Sequence, residues 1–478
     1  MTIPMNLMQR MTFGQKQRKH LRRADQAGWN QKSRAESFLK VLEASNNGRV
    51  QSLMGLKNQR MAVSPFTYFR GAVSVMAYDL SLSPNSGIYT QLCGDAHVRN
   101  LGAFEGPEGR LLFDLNDFDE TIAGPFEWDV KRMATSIILA GWDTGAKSAL
   151  CDQATDVFLE SYRHSILRFA RMPVLELARY QVRRLDDLAT MSQIFAIAQR
   201  STPTGNLAAL TEPTPRQVVT HRTTAKRSKS GKAVTLAVVK SKADAPSLPR
   251  IFKENAPLLT RMTGAAAQRI LDSLATYANG LLPERRHFLA QYRAVDVAFK
   301  VVGTGSVGLR DYCIYMEGNG PTDPLFLQIK EEVPSAYAPY LGKTASAPYH
   351  QGKRVVEGER AMQLQSDPFL GWTTIDNRDF LVRQLNDHKA SIDLSKLKAT
   401  GLLEYASVCG EILARGHSRS GDAAVLAGYL GRSARVDQAI AKFAVAYANQ
   451  TELDWKRFVH STNRRTKPKS PHQPHKAH

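Results

Sequence analysis

Two neighbouring segments rich in Asp, Asn and Gly, Cys93–Asn100 and Phe113–Glu120, constrain most strongly how this chain folds. Short apolar runs flank both segments, which is typical of loops at strand ends, where functional side chains concentrate. Asp95 precedes Asn100 by five residues, so one loop can present both side chains together. The apolar run before Asp117 predicts a strand that delivers a further acidic side chain to the same place.

Phosphoryl transfer from ATP needs few protein groups, and these segments supply the required types. One carboxylate orients or deprotonates the acceptor hydroxyl, while an Asn and a second Asp hold the magnesium ions that bridge the phosphates. Asp95, Asn100 and Asp117 meet this requirement, and Asp114 and Asp119 are competing metal ligands. The alternative is that these residues cap turns and strand ends, as Asp and Asn commonly do in glycine-containing loops.

A glycine-rich segment, Gly303–Gly308, follows much later in the chain. Before it, large apolar residues stand at every second position from Val295 to Val301, and the apolar run Tyr312–Met316 follows it, so strands are predicted on both sides. A dinucleotide-binding fold would instead open a helix after the glycines. We expect a β-hairpin whose loop covers nucleotide phosphates with backbone amides, the alternative being an ordinary flexible hairpin. The expected loop residues are Gly303, Gly305, Ser306 and Gly308.

A third predicted strand, Leu325–Ile329, leads into Lys330. Kinases use a Lys on the third strand of this lobe to contact the α and β phosphates, and Lys330 resembles that residue. A Glu from the following helix must hold such a Lys, and Glu357 is the first choice, with Glu359 the second. The alternative is that Lys330 is a solvated lysine at a strand end.

The segment around Asp95 resembles the aminoglycoside phosphotransferase branch of the protein-kinase-like superfamily, whose pattern is HGDxHxxN, a strand and an Asp-rich metal loop. The resemblance implies that Asp95 is the catalytic base and that Asn100 and Asp117 are metal ligands. It also implies a structural Asp about twelve residues after Asp117, at the start of a helix that supports the catalytic loop, and Asp129 stands there. In two departures, Cys93 replaces the usual first His, and the stretch between Asn100 and Asp117 is somewhat long.

The order of these parts is reversed relative to kinases, in which the glycine-rich loop and the Lys precede the catalytic loop. A circular permutation explains the order, because both lobes remain whole while the termini move. We therefore expect an α+β, two-lobed protein-kinase-like fold, circularly permuted, with a helix-rich lobe and a smaller antiparallel-sheet nucleotide lobe. The hinge is predicted near Arg383–Asn386, whose backbone would face adenine, and helices around Glu411–His417 would return to the helical lobe.

Five distinctive segments span most of the chain: Tyr68–Gly71, Gly94–Asn100, Asn116–Thr121, Arg354–Gly358 and Ala427–Arg432. Together they resemble the bacterial family catalogued as domain of unknown function 2252, which carries no settled activity. Arg70, in the first segment, is expected either to bind phosphate or to pair with a loop carboxylate.

Composition shifts complete the predicted organisation. Residues 200–256 are rich in Thr, Pro, Ser, Lys and Arg, with one β-like run at Ala233–Val239, which indicates a linker or a projecting hairpin. The predicted units are a basic N-terminal helical segment (1–60), a helical lobe with the catalytic and metal loops (61–199), the basic linker or hairpin (200–256), the nucleotide-binding lobe (257–390), helices returning to the helical lobe (391–459) and a disordered basic tail (460–478).

The charge balance of the 478-residue chain is strongly basic, with 64 Lys and Arg against 44 Asp and Glu and a formal net charge of +20. This balance excludes an acidic solvating protein and favours an anionic partner. Nearly all of the excess lies in residues 10–23, 216–255 and 456–478, away from the motifs. We therefore expect the charge to concern a partner or localisation rather than ATP.

The cysteines are scattered and lack CxxC spacing, so a zinc ribbon or a redox pair is not expected. Cys93, Cys151, Cys313 and Cys409 are predicted to be reduced thiols of a cytoplasmic protein. No apolar run approaches the roughly 20 residues that a membrane span needs, and the N-terminus lacks a signal-peptide pattern.

The sequence predicts an ATP- and magnesium-dependent phosphotransferase, or a nucleotidyltransferase with the same fold, that acts on an unidentified hydroxyl acceptor. Two other classes remain open. A pseudokinase would bind nucleotide, or nothing, as an interaction module. A basic nucleic-acid-binding protein would bind generic DNA or RNA in a salt-dependent manner.

Overall fold

We describe a computed structural model of the chain over residues 5–106, 108–182, 189–214, 250–342, 349–385, 390–397 and 399–466. Within these residues the protein combines helices with antiparallel sheets, so the expected α+β class is confirmed. The β-like run predicted at Ala233–Val239 lies outside the described residues.

Helices occupy most of the described chain at its two ends, and fewer helices accompany the strands in the middle. Their bounds are α1 (Leu7–Lys16), α2 (Phe38–Ala44), α3 (Met54–Ala62), α4 (Pro65–Gly71), α5 (Val73–Ser81), α6 (Phe126–Asp143), α7 (Ser148–Phe169), α8 (Val174–Ala178), α9 (Ala189–Arg200), α10 (Pro203–Leu210), α11 (Gly264–Asn279), α12 (Pro283–Leu289), α13 (Gln351–Met362), α14 (Ala399–Ser420), α15 (Ala423–Leu430) and α16 (Arg435–Thr466).

The strands form four antiparallel sheets among the described residues. Their bounds are β1 (Tyr89–Leu92), β2 (Leu101–Glu105), β3 (Leu111–Leu115), β4 (Ile122–Pro125), β5 (Thr211–Pro213), β6 (Arg250–Phe252), β7 (Leu259–Met262), β8 (Arg293–Lys300), β9 (Asp311–Glu317), β10 (Pro324–Glu331), β11 (Gly371–Ile375), β12 (Arg378–Gln384) and β13 (Ala390–Ser391).

The largest sheet contains six strands in the order β11-β12-β10-β9-β8-β7. Its members β8, β9 and β10 are the three strands that the apolar patterns predict. Because β9 and β12 flank β10 and apolar side chains cover both faces, β10 is buried along its whole length. One face packs against Ile270 and Tyr277 of α11, and the other contacts Phe252. Lys330, near the end of β10, therefore has a fixed position.

A larger apolar core lies among α6, α7, α14 and α16. Helix α6 is buried on every side from Phe126 to Gly141, as expected for a helix enclosed by others. Asp129 and Arg132 lie in the first two turns of this helix, so burial of α6 also fixes the position of two charged groups.

Two small sheets, β1-β4 and β13-β2-β3, carry the acidic segments. Strand β1 ends directly before Cys93, and the β2–β3 hairpin pairs Leu101 with Leu115. This pairing returns the chain to Asn100, whose carbonyl accepts a hydrogen bond from the Asn116 backbone N–H at 3.0 Å. The expected loops at strand ends are thus present.

The basic stretch near the N-terminus packs against the far end of the chain. Helix α1 lies along α15, and Arg10 pairs with Asp422 at 3.3 Å. Arg18 donates to the Gly428 and Tyr429 carbonyls, and Arg23 donates to the Leu430 carbonyl. These are carbonyls of the last turn of α15, which have no partner within the helix. Three of the N-terminal arginines therefore have internal partners.

The predicted tail is partly wrong, because residues 460–466 belong to α16. Apolar packing stabilises this part of the helix, because Phe458 is buried against Tyr68. Ser461 and Thr462 hydroxyls then bond back to the Phe458 carbonyl at 2.7 and 3.1 Å. Residues 467–478 lie outside the described part.

The described ends of the predicted linker pair with each other, since β5 and β6 form a two-stranded antiparallel sheet. Residues 215–249, between them, lie outside the described residues.

The four cysteines are buried and none forms a disulfide. None of the described helices combines the length and the apolar character needed to cross a membrane.

Candidate functional site

A cavity of about 810 Å³, within the usual range for small-molecule sites, opens among the described residues. Its walls come from the N-terminal segment, the two acidic loops, the glycine-rich loop and residues 332–340. The predicted site residues that line it are Asp95, Asn100, Asp117, Gly303, Gly305 and Ser306. The structure thus gathers both acidic loops and the glycine-rich loop around one space.

The loop Cys93–Asn100, which the resemblance predicts to be the catalytic loop, is held in place by Asp129. Its carboxylate accepts the Cys93 backbone N–H at 2.8 Å and the Gly94 N–H at 3.0 Å. Gly94 has a φ of +84°, and a Cβ there would lie 2.2 Å from the Glu120 carbonyl oxygen, so only glycine suits this position. The structural role expected for Asp129 matches this geometry.

His417 of α14 steadies Asp129 from the other side. Its Nε2 lies 3.3 Å from Asp129 Oδ2, and its Nδ1 is 2.8 Å from the Tyr162 hydroxyl. A buried histidine from a distant part of the chain therefore supports the catalytic loop, in which Cys93 replaces the usual histidine.

Asp95 is oriented by Arg132, which the sequence interpretation missed. Arg132 is fully buried, and its Nε and Nη2 both donate to Asp95 Oδ1, at 2.8 and 2.6 Å. The other oxygen, Oδ2, lies 3.6 Å from His97 Nε2. The signal for Arg132 was its position three residues after Asp129, on the same face of a helix.

Asn100 bridges the two acidic loops. Its Nδ2 donates to the Asp95 carbonyl at 3.0 Å and to the Asp117 carbonyl at 2.8 Å. Because both neighbours are acceptors, the amide orientation is fixed, and Oδ1 is left buried without a hydrogen-bond partner. An amide oxygen without a donor is a suitable ligand for a hard cation.

Asp117 and Asp114 differ in their surroundings. The Asp117 side chain is 46% exposed and lines the cavity. Restricted access to water and the neighbouring Asp119 carboxylate raise the pKa of Asp117. Asp114 is 1% exposed and is bound by Arg415 and by the backbone N–H groups of Leu115 and Leu364, so it is not part of the cavity.

Lys330 contacts the acidic loop after β3, which is the predicted metal loop. Its Nζ pairs with Asp119 Oδ2 and lies 3.7 Å from Asp117 Oδ1. Burial alone would lower the pKa of Lys330, but the Asp117 and Asp119 carboxylates outweigh burial and raise it. For Asp119 the directions are reversed: burial would raise its pKa, but the neighbouring Lys330 charge outweighs burial and lowers it. The site therefore contains a strong buried ion pair.

The glycine-rich segment forms the expected hairpin loop between β8 and β9. Ser306 Oγ donates to Asp119 Oδ2 at 3.1 Å, so this loop and Lys330 contact the same carboxylate. Gly308 does not line the cavity, but its φ of +92° and its contact with Met54 require glycine.

Glu357 is not the partner of Lys330. It is 54% exposed on α13 and contacts Tyr349 at 2.5 Å and Lys353 at 3.7 Å. Glu359 is buried, and its charge acts on Arg383.

Arg354 is the residue of α13 that reaches the metal loop. It donates to the Asp119 carbonyl at 2.8 Å and to the Thr121 carbonyl at 2.5 Å. Choosing a glutamate by helix position alone therefore missed the actual supporting residue.

Glu332 is a third missed residue, and burial raises its pKa well above the ordinary value. It lines the cavity two residues after Lys330, a spacing that places side chains on one side of an extended chain.

The backbone of the predicted hinge is largely occupied. The Gln384 N–H donates to Asp367, and the Leu385 N–H donates to the Phe326 carbonyl at 2.9 Å. These two amides are therefore not available to adenine in this conformation. Arg383 lines the cavity, and Asn386 lies outside the described residues.

Across the described part of the chain, no group of three or more His, Cys, Asp or Glu side chains is arranged to hold a metal ion. A magnesium site here would consist of few protein ligands, Asn100 and Asp117, and would depend on phosphate oxygens, which is the usual way Mg²⁺ is held beside a nucleotide.

Comparisons with known proteins give one match. A search of curated proteins and a search of solved structures each found none. A family model described as an uncharacterized protein conserved in bacteria (DUF2252) matches residues 49–461, which include both acidic loops, the glycine-rich loop and Lys330. The match covers most of the chain, and the protein belongs to the DUF2252 family.

Proposed function

We propose that this protein is an ATP- and magnesium-dependent phosphotransferase that acts on a hydroxyl acceptor. The observation that carries the proposal is the meeting of Lys330 and Ser306 at Asp119, beside Asp117 and Asn100. A buried lysine that pairs with a carboxylate of the cavity wall, a glycine-rich loop and two oxygen ligands are the parts that phosphoryl transfer requires.

We further propose a two-lobed kinase-like fold with permuted order. The six-stranded sheet with its glycine-rich hairpin corresponds to the nucleotide lobe, and the helical core with the acidic loops corresponds to the other. The 3.7 Å approach of Lys330 Nζ to Asp117 Oδ1 supports the permutation, because it brings the end of β10 to an acidic loop that lines the cavity, although the two are far apart in sequence.

The residues present fit a bound nucleotide and magnesium. When bound, ATP supplies the phosphoryl group, and Mg²⁺ neutralises its charge. Asn100 Oδ1 and the Asp117 carboxylate would hold the metal, since Asn100 Oδ1 has no hydrogen-bond partner among the described residues and the Asp117 side chain is 46% exposed, with Lys330 Nζ no closer than 3.7 Å. Lys330 and the glycine-rich loop would hold the phosphates.

Asp95 would act on the acceptor. Arg132 binds Oδ1 and leaves Oδ2 for the acceptor hydroxyl. Asp95 would take the hydroxyl proton as that oxygen bonds to the γ-phosphorus and the bond to the departing ADP breaks. Arg132 is a positioning residue in this scheme, because it acts through Asp95.

The experiment measures nucleotide binding and turnover separately. We expect the protein to bind a non-hydrolysable ATP analogue with Mg²⁺ in calorimetry, and Lys330→Met to weaken that binding at least about tenfold. Lys353→Met, on the exposed face of α13, is the matched control and should leave binding unchanged.

Turnover distinguishes an enzyme from a binding module. Asp95→Ala should keep analogue binding but reduce ATP turnover at least about tenfold. ATP labelled at the γ or the α phosphate then tells phosphoryl transfer from nucleotidyl transfer by the label that the acceptor receives. Binding without turnover in the unaltered protein would indicate a pseudokinase and contradict the proposal.

A further inference from the structure

The cations that line the cavity are not equivalent. Six Lys and Arg side chains face it: Lys40, Arg49, Lys57, Arg70, Arg99 and Arg383. Four of them have polar partners that occupy their charge: Lys40 pairs with Glu36, Lys57 with Asn46, Arg49 with loop carbonyls, and Arg383 with Gln328 and a carbonyl. Arg70 has a single side-chain partner among the described residues, the His97 ring, and Arg99 has none.

Arg70 extends from the end of α4 into the cavity. Its Nε lies 3.3 Å from Nε2 of His97, and its guanidinium carbon lies 5.9 Å from the Phe66 ring. No carboxylate among the described residues approaches it within ion-pair distance, so pairing with a loop carboxylate, one of the two expectations, is not observed. Burial lowers the pKa of His97 to about 4, so at neutral pH this ring carries no charge.

Arg99 lies two residues after His97 in the same loop and also lines the cavity. Its side chain is exposed and makes no hydrogen bond to another described residue. Arg70 Nε and Asp95 Oδ2 both contact His97 Nε2, at 3.3 and 3.6 Å, so the Arg70 guanidinium, whose two Nη groups have no partner among the described residues, lies beside the proposed base.

We infer that Arg70 and Arg99 bind a phosphate group of the acceptor, so that the substrate is a small phosphorylated molecule that also carries a hydroxyl. The identification of this molecule as the acceptor rests on the proposed function, but the anion site itself does not. Two guanidinium groups from separate elements can surround the oxygens of one phosphate, and Arg geometry favours such bidentate contacts. Holding the anion there brings the substrate hydroxyl towards Asp95.

The test uses inorganic phosphate as the probe, with the full chain and no nucleotide. We expect calorimetry or phosphorus NMR to show phosphate binding, Arg70→Gln to weaken it at least about tenfold, and Arg99→Gln to weaken it about threefold. Arg171→Gln, an exposed arginine after α7, is the control and should have no effect. Thermal melting shows whether each variant is folded.

Lys330→Met separates this site from the nucleotide's phosphate pocket. Phosphate affinity within about twofold of the unaltered protein in Lys330→Met supports the inference. Loss of phosphate binding in Lys330→Met, or no phosphate binding at all, overturns it. Acetate that binds as tightly as phosphate overturns the choice of a phosphate group. None of these results depends on ATP turnover, so the proposed function fails or stands separately.

Discussion

The catalytic loop and the glycine-rich loop face the same cavity but are held in different ways. The catalytic loop rests on the buried charges of Asp129 and Arg132, from a helix enclosed on all sides. The glycine-rich loop is held by Arg49, which donates to the Gly305 and Val307 carbonyls at 2.8 and 2.7 Å, and by Arg60, which reaches the Gly303 carbonyl.

The two kinds of anchor indicate which side of the site can adjust. A buried carboxylate that satisfies two backbone amides cannot be removed without leaving those amides unpaired. Long, partly solvated arginines that contact carbonyls can exchange them for water at small cost. We therefore expect the loop at residues 93–100 to be rigid and the glycine-rich loop to be adjustable.

The largest effect should come from removing Asp129. Asp129→Ala leaves the Cys93 and Gly94 amides and the buried His417 without their acceptor, and should lower the free energy of unfolding by about 3–5 kcal/mol in urea titration. Asp143→Ala, exposed at the end of the same helix, should change it by less than about 0.5 kcal/mol. Equal losses of unfolding free energy in both variants would contradict a specific role of Asp129 in holding residues 93–100.

Lys330 joins the two regions, so its removal should also be costly. Lys330→Met leaves Asp117 and Asp119 facing each other without a cation and should cost about 2–4 kcal/mol of unfolding free energy. Adding Asp119→Asn to that variant should recover at least about 1 kcal/mol, because one uncompensated charge is gone. Strict additivity in this double-mutant cycle would show that the pair is not coupled.

Lys57, behind the glycine-rich loop, should show a smaller, pH-dependent effect. Burial lowers its pKa to about 7, against about 10.4 in an unfolded chain. The unfolded state therefore binds more protons between pH 7 and 10, and the stability of the unaltered protein should rise with pH across that window. Lys57→Met should be more stable by roughly 1–3 kcal/mol at pH 6, and this advantage should vanish near pH 10.5. An advantage that is constant from pH 6 to 10.5 would exclude titration of Lys57 as its cause.

The smallest effect on stability should follow loss of an arginine on the adjustable side. Arg49→Gln should cost less than about 1.5 kcal/mol but speed amide exchange in Gly303–Gly308 roughly tenfold. Exchange in Gly94–Asn100 should not change, and a parallel increase there would show that the two loops open together.

Local patterns sufficed for much of the fold. Period-two alternation located β8, the glycines between two strands located the hairpin loop, and residue spacing placed Asp95, Asn100 and Asp117 on one cavity. These features depend on neighbours within a few residues, which is why one sequence shows them.

Contacts between residues that are far apart in sequence could not be derived from such local patterns. The sequence offered two glutamates for Lys330, Glu357 and Glu359. Packing instead places Asp119 beside it, while Glu357 is exposed on α13. Asp114 was a credible metal ligand until Arg415, three hundred residues later, proved to bind it. Support of Asp129 by His417 has the same origin, since the packing of α14 against α6 and α7 brings the residues together.

The contacts between α1 and α15 have a practical consequence for anyone preparing this protein. The family match starts at residue 49, yet three arginines before it hold α15: Arg10 pairs with Asp422 at its start, and Arg18 and Arg23 bind the carbonyls at its end. A fragment trimmed to that start would also lose Lys40, part of the cavity wall. The family boundary is therefore the wrong place to cut the gene.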